Sequence, residues 1–353
     1  MRWEKQRTAG AHQRLPLDLD EGRGGGRAGL AEPGPGPVAA GTDEAVAIEV
    51  QAKTIINRVP GESGVPFRWT INPYRGCSHA CRYCFARRTH TYLDLDSGRD
   101  FDSKIVVKVN AGALVRRELA HPRWAGDPIA MGTNTDPYQR AEGRYRLMPE
   151  IIAALRDRAN PFSVLTKGTL ILRDLELLRQ AARVAPVSVA VSLGSLHERV
   201  WREVEPGAPA PGRRLDVVRR LTEAGVGCSV MMAPILPGLS DAPEQLEETV
   251  AALVAAGATS ITPLVLHLRP GAREWYHAWL SERRPDLLPL YERLYRHGAH
   301  PPKSYRDGVV ERVRAAQRRH GMRTDRPDDG FRLVAGSAAP AGGGGGADQL
   351  ALL

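Results

Sequence analysis

Cysteine is scarce in this chain, and its scarcity excludes one fold class at once. Four cysteines in 353 residues cannot staple a disulfide framework. Three of them, Cys77, Cys81 and Cys84, fall within eight positions, which is ligand spacing and not crosslink spacing. Long apolar runs are also missing. No stretch approaches the length needed to span a bilayer, and Arg2, Lys5 and Arg7 have no apolar segment behind them that would make a signal peptide. The expectation is a soluble protein of the cytoplasm, a reducing compartment that suits free thiols, with no membrane partner. Acidic residues are outnumbered, 40 against 49 Lys and Arg, for a net charge of +9 and a pI near 9.6. That balance permits a nucleic-acid partner without requiring one.

The ends of the chain differ from its middle. Residues 1–45 are rich in Gly, Pro, Arg and acidic residues, and the region after about residue 335 runs into Ala/Gly low complexity around Gly342 to Gly346. Neither has the apolar content to order itself. The division read from composition is a disordered N-terminal segment over 1–45, a core domain over 46–270, a helical C-terminal extension over 271–322 and a low-complexity tail over 323–353.

From about residue 66, short apolar runs alternate with one-sided helical runs, the pattern of parallel strands joined by crossover helices. Six strands are predicted: Phe67 to Ile71, Pro128 to Met131, Ser163 to Leu165, Val187 to Leu193, Val226 to Ala233 and Ser260 to Leu266. Between them, Glu150 to Ala159 places Ile151, Ile152 and Leu155 on one helix face, and Gln245 to Ala256 does so with Leu246, Val250 and Leu253. Gly225 and Gly257 should stop two helices. Six such units predict an α/β fold, a partial (β/α)6 TIM-like barrel. The segment from Arg273 to Arg319 reads as two or three helices interrupted by Pro285, Pro289 and Pro301–Pro302. Trp275, Tyr276, Trp279, Tyr291 and Tyr295 are its apolar anchors.

The strongest chemical signal is the CX3CX2C loop Cys77-Ser-His-Ala-Cys81-Arg-Tyr-Cys84, just after the first strand. Three thiolates can hold three irons of a four-iron cubane and leave the fourth iron open to an exogenous ligand. Two other uses exist for such a loop. One is a zinc knuckle completed by His79 or Cys228, although zinc sites usually pair CXXC with a second similar pair, absent here. The other is an electron relay with a fourth protein ligand, for which Cys228 would be the candidate. Cys228 lies in an apolar strand, where a buried cysteine usually behaves as a small hydrophobe.

Around this loop the chain resembles the radical SAM superfamily, and within it the spore photoproduct lyase-like group often labelled DNA repair photolyase. The resemblance covers roughly residues 50 to 320. It rests on Asn72-Pro-Tyr-Arg-Gly-Cys77 running into Cys84-Phe85-Ala86, on Thr133-Asn-Thr-Asp136-Pro-Tyr-Gln139 with Glu142, and on Leu165-Thr-Lys167. Val204-Glu205-Pro206, Ala208-Pro209, Arg214-Leu215 and Pro234-Ile-Leu-Pro-Gly238 look like the same group. The resemblance implies a partial barrel of the radical SAM type and two cofactors, a 4Fe-4S cluster on Cys77, Cys81 and Cys84 and S-adenosylmethionine (SAM). It also implies reductive cleavage of SAM to a 5'-deoxyadenosyl radical that abstracts a substrate hydrogen, fed by an electron donor such as flavodoxin or ferredoxin. By the same similarity Tyr83 lies beside the adenine, Thr133, Asn134, Thr135 and Asp136 take the methionine amino group, and Ser192 meets the ribose or carboxylate. One departure is plain. The namesake's hydrogen-donating cysteine lies between the cluster loop and the second strand, and residues 85 to 128 contain no cysteine.

The residues alone agree on location. Thr133, Asn134, Asp136, Lys167, Ser192 and His267 all stand at the C-terminal ends of apolar strands, the rim where barrel enzymes place their chemistry. Each also has a structural use: Asn134 and Asp136 suit a turn before Pro137, and Ser192 suits a helix cap. The Lys167 ammonium must find an anion, either a SAM carboxylate or substrate phosphate, or a protein carboxylate. Arg75, Arg82, Arg87 and Arg88 crowd the cysteine loop. Positive charge there would stabilise a reduced cluster, while solvation is the default for loop arginines. His79 and His90 have no partner visible in sequence. The sequence therefore points to a radical SAM enzyme of unassigned substrate, with nucleic acid permitted. A nucleic-acid-binding protein with a structural metal knuckle is the alternative.

Overall fold

The computed structural model describes residues 7–14, 45–60 and 65–323. Its strands, in chain order, are β1 (Arg7–Arg14), β2 (Val46–Val50), β3 (Ile56–Arg58), β4 (Trp69–Ile71), β5 (Tyr74–Arg75) and β6 (Lys104–Lys108). Then come β7 (Ile129–Met131), β8 (Phe162–Thr166), β9 (Val187–Ser192), β10 (Cys228–Ile235) and β11 (Ile261–Val265). The larger sheet runs β11-β10-β9-β8-β7-β4-β3. From β4 to β11 every neighbour is parallel, and β3 closes one edge antiparallel to β4. All six predicted strands are present, and sheet order follows chain order, as repeated βα units require. Among the described residues the ladder is open between β11 and β3, in keeping with a partial barrel.

Alternation within the strands sorts their side chains onto two buried faces. In β9 and β10, Val189, Val191, Cys228, Val230 and Met232 enter the main core under the helices, while Ala190, Met231 and Ala233 form a small inner cluster with Leu264. The crossover helices present the expected stripes. Ile151, Ile152 and Leu155 are fully buried on the helix Leu147–Asp157, and Leu246, Val250 and Leu253 are buried on Pro243–Ala255. Gly225 and Gly257 leave their helices at φ +79° and +81°.

Several boundaries differ from expectation for identifiable reasons. The helix expected from Glu150 starts at Leu147, because the Glu142 carboxylate accepts the backbone N–H groups of Leu147 (3.0 Å) and Met148 (3.2 Å). Pro289 does not interrupt a helix but opens one, Leu288–Leu294, in the first turn, where its missing N–H costs nothing. With Ala272–Arg283 and Lys303–Arg319 it makes up the C-terminal extension, and Lys303–Arg319 lies against Pro243–Ala255 and β11.

A second sheet, β1-β2-β6-β5, went unread in the sequence. It joins β2, ahead of the barrel, in parallel to β6 from the long β4–β7 crossover. Arg7–Arg14 falls in the segment read as disordered, yet its backbone pairs antiparallel with β2. A strand added to an existing edge needs only main-chain hydrogen bonds and no apolar side chains of its own. The rest of 1–44, and the tail from 324 onward, lie outside the described residues. No helix of the described residues is long and apolar enough to cross a membrane.

Close approach at strand ends makes a test of this packing. Gly132, just after β7, has φ +90°, and a Cβ there would collide with the carbonyl oxygen of Leu165 in β8. Gly132→Ala should cost about 2 kcal/mol or more in a denaturant titration, since both backbone strain and overlap oppose it. Gly143→Ala is the control. It sits in the helix Arg140–Tyr145, with Leu170 3.7 Å away, and should be neutral or gain up to about 1 kcal/mol.

Candidate active site

The cysteine loop is pinned from several sides. Gly76, with φ +79°, leads into it, and a Cβ there would lie 2.9 Å from both the Phe101 carbonyl oxygen and the His90 ring. Glycine is the residue that fits. The Cys77 N–H donates to Phe101 O (2.9 Å), Arg82 N–H to Val204 O (2.9 Å) and Ser78 N–H to Gln139 Oε1 (2.9 Å). The small sheet supports the approach to the loop. Lys108 in β6 donates its N–H to Pro73 O (3.0 Å) and its Nζ to Asn72 O (2.8 Å). Burial pulls the Lys108 ammonium down to about 7.

The loop forms one wall of a cavity open to solvent, with about 840 Å³ of empty space counting that opening, and the C-terminal ends of β7 to β11 form the others. Cys77, Cys81 and Cys84 line it, as do Tyr83, Thr133, Asn134, Thr135, Asp136, Lys167 and Ser192. Every residue proposed from sequence for cluster or cofactor is thus brought to one space. Cys228 is not. It points the other way from β10, fully buried in the helix-facing core, its thiol pushed up to about 12 by desolvation.

Within that space the residues differ in how much of their bonding capacity is already used. Asp136 accepts from Tyr138 N–H (2.9 Å), Thr166 Oγ1 (2.5 Å) and Lys167 N–H (2.6 Å), and lies 3.3 Å from His79 Nδ1. Burial acts to raise its carboxyl, but His79 and these donors outweigh burial and hold it below the usual range. Its turn role is realised, and its two oxygens are engaged by protein. Thr135 Oγ1 donates to Gly76 O (2.6 Å) and accepts from Gln139 Nε2 (2.8 Å), so it clamps the loop. Thr133 Oγ1 pairs with the Asn72 side chain (3.3 Å), whereas the Asn134 side chain is exposed. Ser192 Oγ donates to Ala233 O (3.0 Å) and caps no helix.

Lys167 reaches the cavity from the end of β8. Its Nζ lies 4.0 Å from Glu205 Oε1 and 5.8 Å from the Tyr83 ring centroid. Glu205 is otherwise committed: Arg214 Nη2 donates to it at 2.5 Å, and the Tyr83 hydroxyl donates to its other oxygen. Desolvation would raise the Glu205 carboxyl, but Arg214 and Lys167 more than offset it, so the carboxyl sits below its usual range. The anion expected for Lys167 is therefore partly supplied by the protein. Neither Glu205 nor Arg214 was assigned a role from sequence. They stood among the family-like motifs, but nothing in their spacing shows that they turn inward to Tyr83 and Lys167.

Burial dominates the three thiols. It raises Cys77 well above the ordinary thiol value, Cys81 to about 12, and Cys84 in the same direction. The Asp136 carboxylate reinforces the rise at Cys77, while Lys167 opposes it at Cys81 and Arg87 at Cys84. Arg87 corrects the expectation of solvated loop arginines, because it is fully buried. Arg75 and Arg82 are partly buried and Arg88 is exposed. His79 is tied to Asp136, and His90 is buried with Nε2 3.1 Å from Lys104 O. His267, at the end of β11, lines the cavity, stacks on His300 at 5.4 Å and is pulled down to about 3 by burial.

Comparison with known proteins agrees with this architecture. The chain is 48% identical over 313 residues to an uncharacterized protein of Mycobacterium tuberculosis, covering 89% of this chain and 91% of that one. In fold it is similar to spore photoproduct lyase complexed with dinucleoside spore photoproduct, at 16% identity and a TM-score of 0.59 over 82% of this chain and 84% of the lyase. A variant of that lyase with bound AdoMet gives the same TM-score, 0.59, and identity, 16%, over 83% and 85% of the two chains. The sequence profile of the Radical SAM superfamily matches residues 71–253. The chain belongs to the radical SAM superfamily, and it is an enzyme of that superfamily.

Proposed function

We propose that Cys77, Cys81 and Cys84 hold a 4Fe-4S cluster and that the enzyme uses it to cleave SAM reductively. The observation that carries this reading is the arrangement of thiols. Three face one cavity at the ends of parallel strands, while Cys228 faces the helices. A cubane takes each thiolate on a separate iron and leaves its fourth iron open to SAM. The orientation of Cys228 also removes the fourth ligand that an electron relay would use. When bound, the cluster would supply one electron to the SAM sulfonium, releasing methionine and a 5'-deoxyadenosyl radical that takes a hydrogen atom from the substrate.

The chain's own residues would bind and orient SAM. The exposed Asn134 side chain is free to reach the methionine end, and Lys167, whose contact to Glu205 is long, can approach a carboxylate. Tyr83 is fixed by Glu205, so its ring can serve as a wall for the adenine. Leu165, Met231, Leu264 and Phe85 line the space with apolar surface that would keep water from a reactive radical. Asp136, with both oxygens taken by protein donors, would orient the segment more than it binds SAM. A small electron-transfer protein such as flavodoxin or ferredoxin would be the reductant. The charge of +9 and the likeness in fold to a lyase that binds a dinucleoside photoproduct support nucleic acid as the first substrate class to test. With no cysteine in residues 85 to 128, hydrogen return would need a donor other than the namesake's.

Anaerobic reconstitution followed by dithionite and SAM should yield 5'-deoxyadenosine, measured by chromatography with and without DNA. Single changes of Cys77, Cys81 or Cys84 to Ala should abolish both the bound iron and the product. Cys228→Ala should leave both nearly intact, and loss of iron there would overturn the assignment.

Asn134→Ala should weaken SAM binding about tenfold, a loss of ~1.4 kcal/mol, with unchanged thermal stability. Asp136→Ala should instead lower stability by about 1–3 kcal/mol, because it strands buried donors. Calorimetry and thermal melts separate the two. Equal losses of SAM affinity, with no change in either melt, would show that Asp136 is a direct ligand.

A further inference from the structure

A buried charge stands behind the cysteine loop without lining the cavity. Arg87 begins three residues beyond Cys84 and is 0% exposed. Its Nε and Nη2 donate to the carbonyl of Cys81 (3.3 and 2.9 Å), and its backbone N–H donates to that of Cys84 (3.4 Å). Nη1 donates to Gly98 O (2.9 Å) and Ser97 O (3.3 Å), and Nη2 meets both oxygens of Asp102 (2.8 and 3.0 Å). The guanidinium lies 5.2 Å from the Phe101 ring centroid and 4.8 Å from that of Trp275, the latter from the C-terminal extension. Phe101 in turn packs with Cys77, and Cys84 lies against the same cluster.

Holding a loop does not require a buried cation. Apolar contacts and main-chain hydrogen bonds already pin this one, and a guanidinium taken out of water carries a desolvation cost that only a partner offsets. What a buried cation adds is a field, strong because Phe101 and Trp275 keep water away. Its partner Asp102 is hydrogen-bonded to the nitrogen that also contacts Cys81, so the pair is a fixed dipole beside the Cys81–Cys84 turn.

We propose that Arg87 is a positioning residue whose charge, set against Asp102, tunes how readily the metal centre on Cys77, Cys81 and Cys84 accepts its electron. This rests on the cluster assignment above. Gaining an electron makes the centre more negative, so a nearby cation favours the reduced form and a nearby carboxylate opposes it. A residue that merely braced the loop would leave that equilibrium alone.

The test compares four full-length proteins reconstituted without air: the wild type, Asp102→Asn, Arg87→Lys, and Arg87→Gln combined with Asp102→Asn. The double variant avoids leaving a lone buried carboxylate. Bound iron and the visible spectrum report assembly, and the midpoint of reduction is read by electron paramagnetic resonance in a mediated dithionite titration without SAM. Asp102→Asn should raise the midpoint and Arg87→Lys should stay close to the wild type. The double variant should fall below Asp102→Asn by about tenfold in the one-electron equilibrium, which is about 59 mV. Coincident midpoints of Asp102→Asn and the double variant, both with wild-type iron, would overturn the proposal. If the double variant takes up no iron, an unshifted midpoint in Asp102→Asn overturns it, and a raised one supports it. A wild type that assembles no cluster would instead sink the cluster assignment, and this inference with it.

Discussion

One carboxylate joins three of the segments that wall the cavity. Asp136, on the turn after β7, accepts from Thr166 and the Lys167 N–H at the end of β8 and lies against His79 inside the cysteine loop. Strand ends of a parallel sheet are splayed apart by its twist, and a loop carrying buried thiols has little secondary structure to hold it. A buried acceptor with hydrogen-bond donors on every side supplies the missing constraint. Its own ionisation is held by those donors, so the link does not depend on a bound ligand. Thr135 and Gln139 repeat the device on the same turn, gripping Gly76 at the entrance of the loop.

With the loop so held, charge is distributed unevenly across the site. The Asp136 carboxylate acts on Cys77, whereas Lys167 acts on Cys81 and Arg87 on Cys84. Half-buried Lys167 and buried Glu205 and Arg214 form an alternating row, with Tyr83 hydrogen-bonded at its centre. In such a row each charge is offset by a neighbour, the condition under which ionised side chains tolerate burial. Lys167 at its end has the longest contact, 4.0 Å, so it is the member best able to turn toward an incoming anion.

Much of this was legible in the sequence, and the limits of legibility have physical causes. The parallel strands announced themselves as apolar runs because both their faces are buried, and Gly225 and Gly257 marked helix ends because a left-handed residue was needed there. Period-two alternation also separates Cys228 from the cavity, since Met231 and Ala233, of opposite parity, face inward. The second sheet escaped because β2 and β6 are short and separated by more than fifty residues, and no local pattern reports such a pairing. The burial of Arg87 and Glu205 escaped for a related reason. A charged residue in a polar stretch looks solvated unless its distant partner is known, and Asp102 and Arg214 are found only by folding.

Long-range packing also crosses the boundary near residue 270. That position marks a change from βα units to helices alone, but not a break in the core. Tyr276, Tyr291 and Tyr295 are fully buried in one cluster with Leu266, Cys81 and Tyr83, and the Tyr295 hydroxyl donates to Leu266 O at 2.6 Å. Trp275 from the same helices covers Arg87. The extension is therefore part of the wall behind the cysteine loop. Removing it would expose a tyrosine cluster and let water reach the Arg87 charge, where a higher dielectric would weaken its field on the thiols. A helical segment that reads in sequence as an appendage thus bears on the electrostatics of the site from outside the barrel.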